Sequence, residues 1–203
     1  NMSADVGSSM AVFNLSNCKL AIRGGLLEGI EKLDVWRGGE LQLYENGRSA
    51  EAASVGTYNW SSLLVHDGGV VSVRSSSGNS GAHVSIHAST VRVLSGGRIH
   101  SDGLGDGDSS GDAKFAGEYN ADGGSGGGHG GYGGNAFQSS DGAGAAHGST
   151  LDPLSWGGHG GSSAYGRGGR GGGLVHVVTG SMVLDGTISV NGDDAIAGGG
   201  GGG

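Results

Sequence analysis

Proline and cysteine are almost missing from this 203-residue chain, with one of each. A single proline excludes a collagen triple helix, which needs abundant proline as well as glycine at every third position. With Cys18 as the sole cysteine, neither an intrachain disulfide nor a multi-cysteine metal centre can form within these residues. Cys18 is expected to be a small buried hydrophobe, with a bridge to another chain or segment as the alternative. Charge is also scarce. Only 15% of residues are charged and the formal balance is −8, which argues against a nucleic-acid or anionic-membrane surface. No run approaches the roughly 18 apolar residues of a membrane span. The chain opens at Asn1 with no charged-then-apolar leader, so it is expected to be a processed protein or a piece of a longer one.

Glycine is what the chain has in excess. Of 50 glycines, 14 fall in residues 1–100 and 36 in 101–203, so the two halves use glycine differently. Hydrophobic residues still make up 34% of the chain. They cluster in β-branched runs, which weighs against a wholly disordered polymer.

Those runs repeat. Leu33-Asp-Val35-Trp-Arg-Gly38-Gly39-Glu-Leu41-Gln-Leu43 aligns with Leu63-Leu-Val65-His-Asp-Gly68-Gly69-Val-Val71-Ser-Val73. Both align with Val91-Arg-Val93-Leu-Ser-Gly96-Gly97-Arg-Ile99-His-Ser101. Corner glycines Gly39, Gly69 and Gly97 lie 30 and then 28 residues apart. Leu20-Ala-Ile22-Arg-Gly24-Gly25 reads as an earlier copy, and Met182 to Gly192 as a later one with its corner at Gly186. Alternating apolar residues on both sides of a glycine corner predict two short strands with one buried face each. A unit of 20–30 residues built this way predicts an all-β chain, a right-handed parallel β-helix (solenoid). Equivalent positions should then stack in ladders: Leu33, Leu63 and Val91; Val35, Val65 and Val93; Leu41, Val71, Ile99 and Ile188.

The phrases Leu-Ser-Gly-Gly-Arg-Ile at 94–99 and Leu-Asp-Gly-Thr-Ile-Ser-Val-Asn-Gly at 184–192 resemble large extracellular β-helix proteins. So does the glycine run from Asp122 to Gly134. The resemblance implies a right-handed parallel β-helix with glycine-rich inserts, of adhesin, matrix or filament type. It implies a scaffold and no particular chemistry.

Three regions are expected: coils over 1–103, a glycine-rich insertion over 104–173, and a further coil over 174–203 that runs into a second glycine-rich segment. Six terminal glycines cannot cap open strands, which again points to a piece of something longer. Without Cβ atoms, the insertion is expected to pack as extended glycine strands bonded backbone to backbone. Phe115, Tyr119, Tyr132, Phe137, Trp156 and Tyr165 are expected to pin it to the coils.

Several constellations invite a chemical reading. Asp102, Asp106, Asp108 and Asp112 sit on a glycine loop and could offer calcium its oxygens. The full EF-hand pattern is absent, which favours a solvated acidic turn; Asp193 and Asp194 carry the same two readings. His129 and His159 each lie in Gly-His-Gly-Gly without a second ligand at metal spacing. Arg167 and Arg170 form a short Arg-Gly-Gly run, too few cations for RNA in an acidic chain. Sequons at Asn1, Asn14 and Asn59 point to a secreted glycoprotein.

Strand-borne acids Asp34, Glu40, Glu45, Asp67 and Asp185 form no obvious catalytic pair. The expected function is therefore a non-enzymatic rod of a secreted or cell-surface glycoprotein, needing no cofactor. It would associate with itself, or with other subunits of a filament or matrix, or act as an adhesin stalk. The alternative is a carbohydrate-active β-helix enzyme, a polysaccharide lyase or hydrolase, or a glycan-binding module.

Overall fold

A computed structural model describes residues 12–23, 30–45, 56–75, 81–105, 117–120, 122–136, 142–149, 151 and 154–196. It contains ten strands and, among the described residues, no helix. They are β1 Val12–Leu15, β2 Lys19–Arg23, β3 Lys32–Val35, β4 Glu40–Tyr44 and β5 Gly56–Val65, then β6 Val70–Arg74, β7 His83–Val93, β8 Arg98–His100, β9 Leu174–Leu184 and β10 Thr187–Ser189. Odd-numbered strands form one five-stranded sheet in the order β1-β3-β5-β7-β9. Even-numbered strands form the other, β2-β4-β6-β8-β10, and every pair in both is parallel. The chain thus visits the two sheets in turn.

Register follows the apolar alternation. Leu33 pairs with Leu63 and Leu63 with Val91, while Val35, Val65 and Val93 make the next column. Across the corner, Leu41, Val71, Ile99 and Ile188 form a third. All three expected ladders are present. Leu33, Val35, Leu41, Leu43, Leu63, Val65, Val71, Val73, Val91, Val93 and Ile99 are fully buried between the sheets. Burying each such side chain contributes about 1.5–3 kcal/mol, and a one-residue slip would expose a whole column at once.

Each Gly-Gly corner divides two tasks between its glycines. The amide of Gly39 donates to the Trp36 carbonyl at 2.8 Å, Gly69 to His66 at 2.9 Å and Gly97 to Leu94 at 2.8 Å. In these four-residue turns the first glycine of each pair takes φ of +73°, +69° and +80° at Gly38, Gly68 and Gly96, as the third position of a type II turn requires. The second glycine packs on the preceding repeat, where a Cβ on Gly97 would stand 2.7 Å from the Val65 carbonyl oxygen. Gly186 sits in a shorter corner: Asp185 and Gly186 both donate to the Val93 carbonyl, at 2.8 and 2.9 Å. Its φ is not positive, and a Cβ there would lie 2.5 Å from the Leu94 carbonyl oxygen.

The earliest repeat is shifted from its expected phase. Leu20 pairs with Leu41 and Ile22 with Leu43, so this strand follows a corner instead of preceding one. The corner is Ser16-Asn17-Cys18, where Asn17 adopts φ +49°. Asparagine tolerates this left-handed conformation, so the corner carries no glycine signature; Gly24 and Gly25 lie outside the described residues. Cys18 is exposed in that corner, contrary to the expected burial, because a corner side chain escapes the in-and-out alternation of a strand.

Between β8 and β9 the described residues contain no strand, yet their backbones bond to one another. Gly126 donates to Gly134, Gly144 to Gly126, Gly158 to Gly128, Gly160 to Gly169 and Gly157 to Gly172, all within 2.7–3.0 Å. Glycine permits this spacing: a Cβ on Gly126 would stand 2.8 Å from the Gly134 nitrogen. The tyrosines do not pin the segment. Tyr119, Tyr132 and Tyr165 are 63%, 80% and 71% exposed, whereas Trp156 lies over Gly81, where a Cβ would come within 2.7 Å of the indole. Phe115 and Phe137 lie outside the described residues. Backbone bonds fasten the segment instead, with Gly173 donating to Ser101 at 2.8 Å and Ala82 to Leu104 at 2.7 Å.

Candidate functional site

Strand alternation sends the columns between the apolar ladders outward, and these outward residues are where chemistry could reside. On the even-stranded sheet they build a charged network. The Glu40 carboxylate accepts hydrogen bonds from Lys19 Nζ at 2.8 Å, Ser72 Oγ at 2.7 Å, Gln42 Nε2 at 2.8 Å and Arg74 at 3.1 Å. Partial burial opposes its ionisation, but these donors outweigh burial and hold the carboxyl well below the usual range. No pattern in the sequence marks this cluster. Its members are 19, 40, 42, 72 and 74, and only the register of β2, β4 and β6 brings them onto adjacent strands.

Farther along the same face, Asp102 accepts bonds from Arg98, from Ser189 Oγ at 2.9 Å and from the Asn191 amide at 2.8 Å. Burial again opposes ionisation, while the Asn191, Ser189 and Arg98 contacts lower the carboxyl's pKa overall. His100 lies 3.7 Å from Asp102; burial and then Arg98 lower its proton affinity, with Asp102 opposing. Asp102 therefore ties the turn after β8 to the strand end after β10. Its proposed calcium partners Asp106, Asp108 and Asp112 lie outside the described residues. Asp193 packs against Gly103. Among the described residues, no three acidic, histidine or cysteine side chains gather closely enough to hold a metal ion. A glycosidase acid must keep its proton near neutral pH, and Glu40 and Asp102 are both driven the other way.

The outward face of the odd-stranded sheet carries Lys32, Asp34 and Arg92 toward one end and histidines toward the other. Ser85 Oγ lies 2.9 Å from His87 Nε2 and 3.1 Å from His176 Nδ1. The two imidazoles meet edge to face at 6.4 Å. Where β9 meets the glycine-rich segment, a cavity of about 310 Å³ is lined by His129, Leu154, Ser155, His176, Val175 and Val190 among others. His129 stands edge-on to His147 at 5.0 Å. Burial and the neighbouring His147 lower the proton affinity of His129, with the Trp156 carbonyl opposing. His83 is lowered by burial and by His176. His159 bonds the Gly160 carbonyl at 2.9 Å, the bland role that its glycine setting allows.

Of the three sequons, Asn1 lies outside the described residues. Asn14 on β1 and Asn59 on β5 both project from the outer face of the odd-stranded sheet and are exposed. Beside Asn14, Trp36 stacks on His66 with ring centroids 3.4 Å apart and planes 12° from parallel. That stack joins successive corners. No protein-family model, curated protein or solved structure matches the chain.

Proposed function

We propose that this chain is a non-enzymatic structural module, a right-handed parallel β-helix whose coils form a rigid rod in a secreted or cell-surface assembly. The observation that carries this reading is the continuity of the columns. Phe13, Leu33, Leu63, Val91 and Met182 follow one another in register, as do Leu15, Val35, Val65, Val93 and Leu184. Strands that alternate between two parallel sheets at constant register are what a solenoid coil produces. Pairing also skips Ser61, Ser89 and Gly180, a line of breaks across three strands where a coil would bend.

Self-association supplies the function of such a rod. The outermost strand β9 leaves Val178, Met182 and Leu184 at 43%, 41% and 49% exposure, and Val12 on β1 is 49% exposed. A long apolar outer strand is a template for further pairing. Concentration-dependent sedimentation, with negative-stain imaging of the heavier species, tests the reading. Elongated particles growing along one axis are expected. A compact monomer at every concentration overturns the assembly.

A further inference from the structure

We propose that Asn14 carries an N-linked glycan whose first sugar ring lies on the free face of Trp36. The inference rests on the extracellular part of the proposed function and adds a place and a conformation for the sugar.

Asn14-Leu15-Ser16 is an acceptor sequon, and its asparagine and serine are both exposed. β1 is the outer strand of its sheet, so no further strand among the described residues screens it. The Trp36 indole N–H donates a long 3.4 Å hydrogen bond to Asn14 Oδ1. That bond occupies the carbonyl oxygen, and Asn14 Nδ2 makes no hydrogen bond among the described residues. Trp36 is itself 43% exposed. One indole face is covered by His66, and Trp36 also lines a surface hollow with Asn14, Ser16, Asn17 and Arg37.

The chemistry of the hollow suits a pyranose. An apolar ring face packs on an indole, while hydroxyl and acetamido groups need donors and acceptors at the rim, which Asn17 and Arg37 supply. In the attachment step, Asn14 Nδ2 bonds to the anomeric carbon of an oligosaccharide carried on a polyprenyl diphosphate. The anomeric carbon–oxygen bond breaks, the diphosphate leaves with the electron pair, and the amide loses one proton. Nothing is oxidised or reduced. Asn59 serves as an internal contrast. It is exposed, and Trp60 lines the hollow beside it together with His87, Val178, Thr179 and Gly180, but at 7% exposure Trp60 offers far less ring surface than Trp36.

The test uses the full chain secreted from a eukaryotic host, with site-resolved mass spectrometry before and after timed endoglycosidase digestion. Glycan is expected at Asn14, released about tenfold more slowly than glycan at Asn59 in the folded protein and equally fast after unfolding. Trp36→Ser should abolish the protection and Trp36→Phe should retain most of it, with the fold of each checked by circular dichroism. Glycan at Asn59 with none at Asn14 overturns the site and leaves the extracellular reading standing. Absence of glycan at both positions overturns the site and also counts against secretion. Equal release from Asn14 and Asn59 in the folded protein overturns the seat on Trp36. The rod reading depends on none of these outcomes, because sedimentation tests it separately.

Discussion

At the scale of single residues, glycine does two unlike things here, and substitution should separate them. Gly68 holds φ at +69° with Arg37 Cγ 3.0 Å from where a Cβ would stand. Gly68→Ala should lower stability by about 1–2 kcal/mol, the cost of an L-residue in the left-handed region. Gly134 meets nothing within 4 Å of its would-be Cβ, and its φ is not positive. Gly134→Ala should stay within about 0.5 kcal/mol of the parent, and urea unfolding of the pair reads the contrast. Glu40 makes a prediction in pH. Its folded-state pKa is depressed, so its stabilising effect is present above the ordinary carboxyl pKa. It is lost as pH falls through that value toward the lowered one. The stability gap between the parent and Glu40→Gln should therefore be widest near neutrality and close on acidification below about pH 4. A gap that persists at low pH would show that packing, and not ionisation, is what Glu40 provides.

At the scale of elements, the informative boundary is the seam between β9 and the glycine-rich segment. His83 and His129 resist protonation there, whereas the same residues in an unfolded chain accept a proton below about pH 6.5. The unfolded state then binds more protons, so stability should decline as pH drops from 6.5 toward the lowered values. Hydrogen exchange of the Ala82, Gly173 and Leu174 amides, all of which bond across or beside this seam, should speed up over that range. His83→Gln with His129→Gln should flatten the response; an unchanged slope would place the pH sensitivity elsewhere. The three ladders were legible in the sequence because each column repeats an apolar residue beside a corner glycine pair. The Ser16-Asn17-Cys18 corner was not, because asparagine supplied the backbone geometry that glycine supplies at the other corners.

At the scale of the whole molecule, the two sheets have outward faces of different character. One carries the Glu40 and Asp102 charge networks, and the other carries histidines, the two exposed sequons and the Trp36–His66 stack. Growth along the column axis would preserve both faces from one copy to the next. Met182→Lys with Leu184→Lys should therefore abolish the heavier sedimenting species by placing charges on the outermost strand, while leaving the monomer's circular dichroism unchanged. Assembly that survives both substitutions would have to use another surface.

The repeat by itself determined the strands that flank the glycine corners, their order along the chain, and the columns that fill the interior; β1 and the phase of β2 it did not. Alternation and corner spacing are local properties, and a buried face forces them into one register. Only the tertiary structure decided which polar residues meet. Glu40 and Arg74 are 34 positions apart, as are none of the corner glycines, and Asn14 meets Trp36 across a gap of 22. Such contacts depend on which strand lies beside which, and on a corner three residues long instead of four. The tertiary structure also decided the glycine-rich segment, because glycine has no side chain to announce its neighbour. Its partners are chosen by backbone bonds and close approach, and neither leaves a pattern in the sequence.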